Sequence, residues 1–73
     1  MPGTHSVILF KSVSHTMHAE KLLKTAGVAI KLIPIPRHLS SDCGVCLRFD
    51  TGARPAVEQA LSNRVDFDRI VDI

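Results

Sequence analysis

A short amphipathic helix lies between two runs of β-forming residues, and a glycine ends it. From His15 to Ala26 the apolar residues Ala19, Leu22, Leu23 and Ala26 fall at helical spacing, with Met17 near the first turn. Glu20, Lys21 and Lys24 lie largely off that stripe. Ser12 or Ser14 can cap the start, and Gly27 stands where a helix C-cap needs a left-handed residue. Ahead of the helix, Ser6–Phe10 (SVILF) reads as a buried strand. Behind it, Val28–Ile35 carries Val28, Ile30, Leu32, Ile33 and Ile35 as a second strand, ended by Pro34 and Pro36. A strand–helix–strand crossover is right-handed, so these two strands run parallel.

The rest of the chain completes the pattern. Val45, Leu47 and Phe49 alternate with Cys46 and Arg48, the period of a third strand. Asp50, Thr51 and Gly52 make a turn. Ala53–Ser62 reads as a second helix, with Pro55 tolerated in its first turn, Val57, Ala60 and Leu61 on one face, and Asn63 at its end. Val65, Phe67, Ile70, Val71 and Ile73 could supply a last strand, although Asp and Arg residues interrupt them. The expected class is α+β, a ferredoxin-like split β-α-β of order β-α-β-β-α with an optional final strand. Its antiparallel sheet would carry both helices on one face. At 73 residues this is a single domain spanning 1–73. Without Trp or Tyr its core must be mainly aliphatic, and a chain this short leaves little room for a deep enclosed cavity.

Charge and hydropathy narrow the partners. The net charge of +2 is small and its basic residues are dispersed, with no Arg/Lys stripe interleaved with aromatics, so no nucleic-acid partner is expected. No apolar run is long enough to span a bilayer, and MPGTHS lacks the pattern of a signal peptide. The expected compartment is therefore the cytoplasm, with no membrane partner. A sheet with helices on one face only leaves the other available for a homo-oligomer. Nothing in the sequence calls for a cofactor.

Chemistry concentrates in Pro34–Phe49 (PIPRHLSSDCGVCLRF), a polar loop between strands that holds both cysteines, Cys43 and Cys46, as C-x-x-C. Strand three must start at the sheet edge where strand one ends and helix one begins. Cys43 and Gly44 should therefore lie near Ser12, Ser14 and His15. A helix N-terminus carries partial positive charge and favours a thiolate. Arg37 and His38 act in the same direction and Asp42 against it.

Several roles fit these thiols. Cys43 can be a nucleophilic or carrier thiol, with Ser40 and Ser41 offering hydrogen bonds and Gly44 admitting a partner's backbone. The two cysteines can form a redox pair, although Cys46 runs into a strand rather than opening a helix as in thioredoxin-like motifs. They can also supply two metal ligands, with His15 and His18 three apart on helix one as further candidates. The bland reading makes Cys46 a small apolar residue in a sheet, and His5, His18 and His38 solvated side chains.

The run S-x-S-H with A-E-K-L-L-K-x-A-G (Ala19–Gly27), then K-L-I-P-I-P-R (Lys31–Arg37) and L-S-S-D-C-G-V-C-L-R-F (Leu39–Phe49), resembles a family of small bacterial proteins described as selenium/sulfur carrier-like. The resemblance spans roughly Val7 to Leu61, and its most specific part is P-x-P-R…S-S-x-C-G. It implies a carrier in which Cys43 accepts sulfur or selenium as a persulfide or selenopersulfide and passes it between a protein donor and a protein acceptor. Arg37, Ser40, Ser41 and Gly44 match the rest of the segment and would shape the site, with His15 beside it. Cys46 would be a resolving thiol or incidental. Such a relay needs no turnover of its own, so carrier describes it better than enzyme. A metal-binding module using Cys43 and Cys46 for Cu(I) or zinc is the alternative, and an interaction domain without thiol chemistry is a third reading.

Overall fold

The computed structural model describes residues 4–39 and 44–73. Strand β1 (His5–Leu9) leads into helix α1 (Val13–Thr25), followed by β2 (Ile30–Pro34), β3 (Val45–Asp50), helix α2 (Arg54–Leu61) and β4 (Arg69–Asp72). The strands form one four-stranded sheet in the order β2-β3-β1-β4, with every neighbouring pair antiparallel. This is the expected ferredoxin-like α+β arrangement, and the C-terminal segment does contribute a final strand.

Each element has a local cause. Ser12 sits in extended backbone and its Oγ accepts the His15 N–H at 3.2 Å, so Ser12 is the N-cap of α1. The helix therefore begins two residues earlier than the expected His15 start, and Ser14 lies inside it. At the other end Gly27 has φ +80°. The Gly27 N–H donates to Lys24 O at 3.1 Å and the Val28 N–H to Leu23 O at 2.9 Å. That bond pair is a Schellman cap. It engages Val28 in the helix end, which is why β2 opens at Ile30 rather than Val28.

Helix α2 is preceded by a 3-10 turn, Thr51–Ala53, and carries Pro55 in its first turn, where the missing N–H has no helical partner to lose. Asn63, at φ +61°, turns the chain out of the helix while the Arg64 and Val65 N–H groups return to Leu61 O. The expected last strand is shorter than its apolar residues suggested. Val65 and Phe67 pack on the core ahead of β4, and the Asp68 N–H reaches Leu9 O at 2.7 Å.

Alternation along the strands builds two apolar layers. Ile8, Phe10, Leu47 and Phe49 join Ala19, Leu23, Val57 and Leu61 between sheet and helices. Burying side chains of this size stabilises by about 1.5–3 kcal/mol each before chain entropy is counted. Ser6 is a buried polar residue of this face, held by Asp72 Oδ1 at 2.6 Å and Thr51 Oγ1 at 2.9 Å. On the face without helices, Val7, Leu9 and Cys46 are fully buried, with Ile33, Ile35, Leu39 and Val71 packed against them. That second layer is small, and it lies next to the β2–β3 loop.

Candidate functional site

The loop between β2 and β3 is pinned at its base. Pro34 pairs with Val45, and the Ile35 N–H donates to Gly44 O at 3.2 Å. Pro34 is tolerated because β2 is an edge strand, where a proline need not donate to the ladder. Beyond Ile35 the chain makes a turn in which the Leu39 N–H donates to Pro36 O at 2.9 Å. This leaves Arg37 and His38 exposed at the tip and folds Leu39 onto the small apolar layer. Ser40, Ser41, Asp42 and Cys43 lie outside the described residues.

Gly44, the residue after Cys43, is exposed with φ +75°. Among the described residues a Cβ there would meet nothing within 4 Å. Its glycine character therefore answers first to backbone conformation, because an L-residue is strained at that φ. The open space around it is also compatible with the expected approach of a partner.

The strand register decides where this base lies. Leu9 pairs with Cys46, so β3 starts where β1 ends, and β1 runs on through Phe10 and Lys11 to the Ser12 cap of α1. Gly44 and the start of α1 consequently share one sheet edge. His15 is in the first turn of α1 with an exposed side chain, and its backbone N–H is taken by Ser12. Arg37 is also exposed. Among the described residues no hydrogen bond joins either side chain to Gly44. His18, like His15, is an exposed helix residue.

Cys46 differs from what a reactive thiol needs. It is fully buried, packed with Val7 and Leu9 and covered by Ile33, Ile35 and Leu39, and its Sγ lies 4.0 Å from Pro34 O. An attacking sulfur has no path to it unless that cover lifts. Among the described residues no group of three or more His, Cys, Asp or Glu side chains is placed to hold a metal ion. No helix among them is long and apolar enough to cross a membrane.

A second feature had no role in the sequence reading. At the opposite end of the helix-free face a depression of about 170 Å³ is lined by His5, Ala29, Ile30, Lys31, Arg48, Phe49 and Asp50. The basic residues there come from three separate strands, so only the register could reveal them.

A protein-family model described as "Putative Se/S carrier protein-like" matches residues 5–72, which includes the whole β2–β3 loop. No curated protein and no solved structure matches the chain.

Proposed function

The chain belongs to the Se/S carrier-like family, and on that premise we propose that Cys43 is a carrier thiol relaying sulfur or selenium between protein partners in the cytoplasm. The observation that carries this reading is the contrast within C-x-x-C. Cys46 is sealed into an apolar layer, and the family match runs through the Cys43–Gly44 step. Cys46 then belongs to the scaffold, where it helps fasten Ile35 and Leu39 to the sheet. Resolution of an adduct by Cys46 would require that cover to open first.

In the forward step the Cys43 thiolate attacks the outer sulfur of a donor persulfide. A new S–S bond forms on Cys43, the donor's S–S bond breaks, and the donor leaves as a thiolate with the bonding electron pair. The outer sulfur and one proton stay together, so no external oxidant or reductant is consumed. An acceptor thiolate reverses the step on Cys43 and takes the sulfur away. With selenium the same balance gives a selenopersulfide. Arg37 and the start of α1 supply positive charge for the anionic sulfur, while His15, Ser40 and Ser41 offer hydrogen bonds to it.

Intact-mass measurement after incubation with a persulfidated donor protein tests this. The expected result is a gain of one sulfur atom, lost in Cys43→Ala and retained in Cys46→Ala. An adduct indifferent to Cys43→Ala overturns the assignment. Absence of any adduct, with stoichiometric metal in the purified protein, would transfer the two cysteines to metal binding.

A further inference from the structure

We propose that the depression at the far end of the helix-free face is a binding site for a small oxyanion such as inorganic phosphate, independent of the carrier thiol. Register is the starting point: Lys31 lies directly across from Arg48 in the β2–β3 ladder, and Val7 faces Arg48 from β1. Directly opposed residues of an antiparallel pair project from the same face, so the ammonium and guanidinium groups are neighbours. Arg48 is on the same face as Cys46, two residues along β3.

Like charges directly opposite one another destabilise a sheet unless something offsets them. Among the described residues no carboxylate is paired within 4.0 Å with Lys31 or Arg48, whereas Lys24 pairs with Glu20 and Arg54 with Glu58. Asp50, the carboxylate on the rim, lies instead 3.6 Å from His5 Nε2. The two cations thus face a concavity whose remaining lining is His5, Ala29, Ile30, Phe49 and Asp50. A group that accepts hydrogen bonds from both at once supplies what the fold leaves out. A guanidinium and an ammonium suit a phosphate-like oxyanion, the first by its fork of donors and the second as a point charge.

Size sets the ligand class. A volume of about 170 Å³ holds roughly five or six waters at about 30 Å³ each, and falls short of the ~300 Å³ at which drug-sized ligand sites begin. It accommodates a tetrahedral oxyanion and part of its hydration. Arg48 is four residues along β3 from Gly44, roughly 13 Å at the strand rise. An anion there lies well away from Gly44.

Backbone amide NMR of the intact chain, titrated with sodium phosphate against sodium chloride of equal ionic strength, tests the site. Expected are saturable shifts confined to His5, residues 29–31 and residues 48–50, with affinity at least tenfold weaker in Lys31→Gln and in Arg48→Gln. Lys31 is exposed, so its variant keeps the fold even if Arg48→Gln does not. Shifts spread over the whole surface, shifts reproduced by chloride, or undiminished affinity in Lys31→Gln would each overturn the proposal.

Discussion

The Ile35 N–H donates to the Gly44 carbonyl at 3.2 Å, and this bond closes the base of the loop in which Cys43 stands. It ties the proline-bounded end of β2 to the first turn of backbone before β3, so the conformation of Gly44 sets where the loop returns to the sheet. The residue next to Cys43, the proposed carrier thiol, therefore helps fix the base of the loop.

Gly44→Ala follows directly. Among the described residues the new Cβ meets no neighbour within 4 Å, so the expected cost is that of holding an L-residue at φ +75°. That amounts to about 1–2 kcal/mol. Thermal unfolding should show Tm falling by roughly 4–8 °C per kcal/mol for a domain of this size. An unchanged Tm would mean that the loop base relaxes to a negative φ at no cost.

Cys46 should behave as a core residue. In a Cys43→Ala background, its reaction with an aromatic disulfide reagent should be at least a hundredfold slower in native buffer than in denaturant, since labelling waits for the Leu39 cover to open. Cys46→Ser should cost more stability than Cys46→Ala, by about 1 kcal/mol, because it adds a hydroxyl to an apolar layer. Equal labelling rates in the two conditions would remove the basis for separating the two thiols.

Ser12→Ala deletes the side-chain cap that receives the His15 N–H. The expected loss is about 1 kcal/mol, read as a lower urea midpoint with an unchanged slope. Ser12→Asp should retain most of the stability, because a carboxylate both accepts that bond and suits the positive end of the helix. Loss of stability in Ser12→Asp equal to that in Ser12→Ala would argue against capping.

How much of this could be read in advance depends on the range of the signal. Helix α1 and its Gly27 end rest on local spacing and a backbone need, and both are visible in the sequence. So is the alternation that sets Cys46 opposite Leu47. What covers Cys46 is not visible, because Ile35 and Leu39 reach it through a turn whose fold-back no local pattern records. The end of the chain hid its strand for another reason: Val65 and Phe67 are core residues of irregular backbone, and their apolar character resembles strand alternation. The Lys31–Arg48 pairing depends on register, which short alternating strands leave open until the sheet is assembled. The segment Ser40–Cys43, where the sequence points most directly to chemistry, lies outside the described residues.

That pairing makes a prediction about stability in the absence of any anion. Lys31 and Arg48 are directly opposed and lack a carboxylate within 4.0 Å among the described residues. Lys31→Gln removes the repulsion while keeping an unbranched polar side chain, so in anion-poor buffer the variant should be more stable than the parent. The gain is a few tenths of a kcal/mol, about the lower end for cross-strand pairs, because Lys31 is exposed and solvent screens it. Salt supplies the internal control. Raising sodium chloride toward 1 M shortens the screening length to about 3 Å, and the difference between variant and parent should shrink toward zero. A stabilisation that persists at high salt would trace to glutamine's strand preference instead of charge, and a destabilisation at low salt would mean that Lys31 already has a compensating partner.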